Sequence, residues 1–159
     1  MSSILRTVEF LCLSVWLGSD VFLSFVVAPG AFGLLSSRDQ AGAIVGYTLA
    51  RMHLGGIGLG ALLLLVRLVR TQSFGSLAKP AAVGVALMMA LTAISQFTVS
   101  AKMAALRSQM GSIEATAAGN PLLAEFGRLH GISVMVESGV LLAGIAAMYL
   151  MVREVVARS

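Results

Sequence analysis

Residues Val8 to Val27 read VEFLCLSVWLGSDVFLSFVV, an apolar run long enough to cross a bilayer, with Glu9 at its entrance and Asp20 deep inside it. Spanning ~30 Å of hydrocarbon takes about 20 helical residues. Three further stretches reach that length, one ending at Val69, one after Pro80 and one after Pro121. In lipid every backbone N–H and C=O must be satisfied within the spanning structure, so each run folds as a helix. The expectation is an all-α integral membrane four-helix bundle. One transmembrane domain covers residues 1–159, with helices at about 4–27, 38–70, 80–110 and 121–153.

Charge supports this. Of the 159 residues 58% are hydrophobic and 11% charged, against roughly 25% charged in soluble domains. So few charges cannot cover a water-facing surface. The net charge of +4 does not point to nucleic acid, because the basic residues stand at the ends of the apolar runs, where they meet lipid headgroups and set topology. With four spans, Arg6, Arg67, Arg70, Lys79, Arg153 and Arg158 share the side of the two termini. Arg38, Lys102 and Arg107 take the other side, with Arg51 and Arg128 near helix ends. The bias favours both termini in the cytoplasm, and the four spans make the protein multi-pass. The first run is too long for the apolar part of a signal peptide and is broken by Asp20, so it reads as a membrane helix. Cys12 is the single cysteine and lies in that run, which excludes a disulfide within the chain.

Local signals bound the helices. Pro29 and Gly30 end the first, Ser37-Arg38-Asp39-Gln40 has the chemistry of a helix start, Pro80 and Pro121 suit first turns, and Gly111 to Asn120 is a loop. A helix from Arg38 to Arg70 would be about 50 Å long, tilted or projecting from the bilayer.

Helical residues advance by about 100° each, so faces follow from spacing. On the second helix Gly42, Gly46, Gly56 and Gly60 fall near one line, a small-residue stripe that predicts close helix packing. His53 shares the line and Arg51 lies opposite, free to snorkel. Glu9, Trp16, Asp20 and Ser24 share a face of the first helix, Thr92 and Gln96 one of the third, and His130 and Glu137 one of the fourth. Asp20 and Glu137 fall at matching depth, about 12 Å inside the boundary away from the termini, with His53 and His130 nearer it. Four ionisable groups from three helices are thereby expected to converge. Asp20 has His53, Trp16 or Ser24 as possible donors, and Glu137 has His53 or Lys102.

Trp16-x-Gly18, Phe22-x-x-Phe25-Val-Val-Ala-Pro29, then Phe32 and Leu35, and Ala41-Gly42 opening the second helix, form one recognisable pattern. Phe126-x-Arg128-Leu-His130-Gly131-Ile-Ser133 forms a second. Together they resemble the transmembrane-protein-205-like family, catalogued in bacteria as domain of unknown function 4149. Glu137 departs from that pattern, which tends to carry an asparagine there. The resemblance implies a four-helix protein of the bacterial inner membrane and supplies no catalytic residues.

Several roles fit these residues. Asp20, His53, His130 and Glu137 have the donor types for a transition metal. His53 and His130 suit a haem, or one of them a chlorin through its magnesium. Asp20 and Glu137 suit a proton or cation path, since acids inside membranes commonly mark one. The same groups can equally join helices by polar contacts with no cofactor at all. No Gly-x-Ser-x-Gly, His-Glu-x-x-His or phosphate loop is present, so a non-enzymatic role is expected. The leading expectation is a structural or accessory subunit packed in the lipid bilayer against other membrane subunits, with ion or metal handling and pigment binding as alternatives.

Overall fold

The computed structural model describes residues 2–157. Arg158, counted above among the residues near the termini, lies outside them. Four helical rods are long and apolar enough to cross a membrane among the described residues: Ser3–Leu34, Arg38–Thr71, Pro80–Met110 and Pro121–Val156. No strand occurs among those residues, and the fold is all-α.

The first span is built from α1 (Ser2–Phe22), a π-helical stretch over Leu23–Val27 and α2 (Ala28–Leu34). The expected stop at Pro29 does not occur. The wide π turn, in which Ala28 N–H donates to the Leu23 carbonyl, sits directly before the proline. A proline within a helix clashes with the preceding turn, and a π turn loosens that turn. The helix runs on until Leu35 turns extended. Ser24 does not share the buried face: Leu23, two turns after Trp16, is buried and Ser24 is exposed.

α3 (Arg38–Thr71) is one continuous helix of 34 residues, about 50 Å long. The Ser37 hydroxyl caps it by accepting from Gln40 N–H at 3.4 Å. Gln72, in the left-handed region at φ 52°, ends it. A 3₁₀ turn over Phe74–Ala78 leads to the third span, made of α4 (Pro80–Ile94), a second π stretch Ser95–Ser100 and α5 (Ala101–Met110). Gly111, at φ +72°, closes it. Asn120 caps α6 (Pro121–Val156) by accepting from Leu122 N–H at 2.9 Å, with Pro121 in the first turn.

The spans pack in a ring. α1 contacts α3 and α6, and α4 contacts the same two, so the first and third spans are diagonal. The first and last described residues therefore lie at one end of the bundle, the termini end, with the 111–120 loop at the other. Leu13, Trp16, Leu63, Val85, Met88 and Ala147 form a closed core. Large apolar residues such as Leu11, Val15, Phe25, Leu62, Leu142 and Ile145 face outward, as lipid-facing surfaces require.

The glycine stripe serves a different purpose from the one its spacing predicts. Gly56 is the bed for the Trp16 indole: a Cβ there would collide with the ring. At Gly60 a Cβ would meet Trp16 Cζ3 and Met89 Cγ, each at 2.8 Å. Gly42 makes room for the Arg107 guanidinium, and Gly46 is exposed. Gly42, Gly56 and Gly60 thus seat long side chains from neighbouring helices. Close approach of small residues happens instead between Gly84 and Ala147, where a Cβ on Gly84 would stand 3.1 Å from the alanine methyl.

Candidate functional site

Two buried polar clusters occupy different levels of the bundle. The first lies at the end that holds the termini. Glu9, 1% exposed, receives Arg70 Nε at 2.5 Å and Nη2 at 3.1 Å. Arg67, also buried, stands 3.7 Å from Glu9 through Nη1. Its Nη2 donates to both oxygens of Glu154 at 2.6 and 2.7 Å, and its Nε to the Ser76 carbonyl at 3.1 Å. Two arginines and two glutamates from three spans thus cancel, with the 74–78 turn tied in. Arg67 and Arg70 are not the headgroup anchors that their positions at a helix end predict. Complementary charge at the same depth on other helices was the signal for this network, and only packing pairs it.

The second cluster lies deeper. His53 is fully enclosed on the stripe of α3 that continues through Gly56, Gly60, Leu63 and Arg67. Its Nε2 is 2.7 Å from Glu137 Oε1, and its Nδ1 is 2.9 Å from Gln96 Oε1. Ser95 Oγ donates to the same Glu137 oxygen at 2.9 Å. Ser95 and Gln96 open the second π stretch. Ser95 stands two turns after Met88 and three residues after Thr92, on the buried stripe that an ordinary helical period continues along this span, so its inward position follows from spacing. π segments recur at functional sites, and here one adjoins Asp20 while the other carries Ser95 and Gln96.

Asp20, 2% exposed, is within electrostatic reach of Glu137 and His53. None of its expected donors reaches it, and its Oδ2 is enclosed without a hydrogen bond. Glu137 Oε2 and Thr92 Oγ1 are enclosed and unpaired in the same way. Along the helices Asp20 lies about 16 Å beyond Glu9, His53 about 21 Å beyond Arg67 and Glu137 about 25 Å beyond Glu154. The cluster is therefore in the half of the bundle away from the termini. The closed apolar core of Leu13, Trp16, Leu63 and Met88 separates it from the arginine network.

His130 does not join this cluster; it is exposed. The buried stripe of α6 runs through Leu129, Ser133, Val140, Gly144, Ala147 and Met151, and both His130 and Glu137 lie at its edge. Glu137 reaches inward to His53, while His130, two turns nearer the loop end, faces out. The expected four-residue metal set of Asp20, His53, His130 and Glu137 is accordingly not assembled. No group of three or more metal-ligating side chains forms among the described residues. The expected haem or chlorin ligands fit no better, because both ring nitrogens of His53 are engaged by Gln96 and Glu137 and His130 points outward. Lys102 is exposed and makes no ion pair with Glu137 among those residues.

At the loop end, Asp39 accepts from Ser112 Oγ at 2.5 Å and Ile113 N–H at 2.9 Å. Glu114 accepts from Ser37 Oγ at 3.2 Å and Arg38 N–H at 3.3 Å. The 111–120 loop is thereby fastened across the start of α3.

The family model described as Domain of unknown function (DUF4149) matches residues 11–112, more than half of the chain. The chain belongs to the DUF4149 family. The matched DUF4149 region holds Asp20, His53, Ser95 and Gln96, while Glu9, Glu137 and Glu154 lie outside it. No curated protein and no solved structure matches the chain.

Proposed function

We propose that this multi-pass DUF4149 protein binds and releases protons at the Asp20–His53–Glu137 cluster. The observation that carries this reading is the pair of enclosed carboxylate oxygens, Asp20 Oδ2 and Glu137 Oε2, that receive no hydrogen bond. A charge inside a bilayer costs at least about 2.5–3.5 kcal/mol even on the lowest scale. Fully deprotonated, the two acids and the imidazole carry two negative charges. Two protons shared among the three groups make the cluster neutral. With both ring nitrogens facing oxygens, an imidazolium donating to each is one form of that state. The second proton then belongs to the carboxylates, and either orphaned oxygen can accept it.

The apolar core on the side of the termini directs exchange toward the loop end. In the sequence Arg6, Arg67, Arg70, Lys79, Arg153 and Arg158 belong to the termini end, against Arg38, Lys102 and Arg107, with Arg51 and Arg128 near helix ends. That small excess favours cytoplasmic termini, and in this reading the protein lies in the inner membrane and exchanges protons with the outer side. The role is non-enzymatic in this reading. Infrared difference spectra of the protein in vesicles, titrated with acid and base, test it. A protonated-carboxyl band that titrates and is altered in both Asp20→Asn and Glu137→Gln is expected. A spectrum without any titrating carboxyl, or one unchanged in both variants, overturns the reading.

A second reading, a structural subunit of a larger membrane assembly, is favoured by a different observation. His53 ties the second, third and fourth spans together, and Arg67 ties the second, fourth and first. Such contacts fix helix register without further chemistry. Stable co-purification of other membrane proteins in mild detergent supports this reading, and purification as a chain free of other proteins counts against it.

A further inference from the structure

A groove of about 270 Å³ runs between the first and last spans at the end that holds the termini. Phe10, Val152 and Val155 supply its apolar wall, and Arg6 and Thr7 its polar rim. Arg6 also borders the small cavity beside Glu9, Arg67, Arg70 and Glu154. In that cavity the two other arginines are neutralised by the two glutamates. Arg6 makes no ion pair among the described residues, although it is only partly exposed. One uncompensated guanidinium thus stands over an apolar trough that opens on the lipid-facing side of the bundle.

We infer that this groove is a binding site for an anionic phospholipid, whose phosphate pairs with Arg6 and whose acyl chain lies along Phe10, Val152 and Val155. Guanidinium and phosphate match in charge and in fork geometry. The trough has room for a segment of an acyl chain beside Arg6. Clusters of basic residues at a helix end attract anionic lipid in general. The site differs from that diffuse attraction because Arg67 and Arg70 are consumed internally and, among the described residues, Arg6 is the basic side chain that borders the apolar trough.

Native mass spectrometry of the full chain in non-ionic detergent, with phosphatidylglycerol, phosphatidylcholine or inorganic phosphate added, tests the site. Retention of phosphatidylglycerol over phosphatidylcholine is expected, with Arg6→Gln weakening it about fivefold. Val152→Trp, which fills the trough from the lipid side, is expected to reduce retention of phosphatidylglycerol while the helical circular dichroism persists. Arg153→Gln, outside the groove, is expected to leave the preference intact. Equal retention of the two lipids, an unchanged preference in Arg6→Gln, or an equal loss in Arg153→Gln overturns the proposal. So does displacement of phosphatidylglycerol by inorganic phosphate alone, which would assign the site to a free anion.

Discussion

Glu137 holds His53 Nε2 at 2.7 Å through Oε1, and the other oxygen of the same carboxylate is enclosed and bonded to nothing among the described residues. The two oxygens of one side chain therefore have different roles. Glu137→Gln keeps an oxygen for His53 and Ser95 and replaces the orphaned atom, so a loss of at most about 1 kcal/mol is expected. Glu137→Ala strands both His53 and Ser95. Membrane hydrogen bonds average about 0.6 kcal/mol and reach about 1.7, while breaking a buried pair costs about 3–5. The alanine variant is expected at about 2–4 kcal/mol. Unfolding by a denaturing detergent measures both, and equal losses would contradict this division of roles.

Gly56 and Gly46 lie on one helix face and are expected to respond oppositely. A methyl at Gly56 enters the Trp16 ring, and both partners are fully enclosed. Overpacking of this kind costs about 1–3 kcal/mol. A Cβ at Gly46 has only the tip of Arg107 within reach, at 4.0 Å. Gly46→Ala is expected within about 0.5 kcal/mol of the parent. Tryptophan fluorescence, which reports Trp16 alone because the chain has one tryptophan, should shift in the first variant and not in the second.

Arg67 neutralises two glutamates and holds the Ser76 carbonyl. Arg67→Ala leaves Glu154 unpaired and is expected to cost about 3–5 kcal/mol. Arg67→Lys keeps the charge and loses the fork that reaches Glu154 and Ser76 together, so recovery should be partial. Recovery to the parental level, measured by the same unfolding assay, would mean that charge alone matters.

Asp39 and Glu114 clamp the 111–120 loop to the start of α3. Asp39→Ala is expected to quicken protease cleavage between Gly111 and Asn120 in intact protein while leaving helix content unchanged. An unaltered cleavage rate would place the loop's order elsewhere.

The helical architecture was legible in the sequence because lipid leaves the backbone few options: long apolar runs fold as helices, and capping residues such as Ser37, Gly111 and Asn120 mark where they start and stop. Spacing also turned His53, Asp20 and Glu137 inward correctly, since a helical face follows from 3.6 residues per turn alone. It failed where that period breaks or where a residue sits at a stripe's edge. The first span runs on past Pro29 through a π turn, and Ser24 lies off the stripe that Trp16 and Leu23 define. His130 shares a face with Glu137, yet only neighbouring helices decide that the edge position of one is covered and of the other is not. The same holds for charge. The sequence by itself determined a membrane bundle with acids, arginines and a histidine within its helices. Only the tertiary structure decided that Arg67 and Arg70 close a neutral network with Glu9 and Glu154, and that Asp20 Oδ2 is enclosed without a donor among the described residues. Pairing depends on side chains from different helices meeting at one depth, which no single helix encodes.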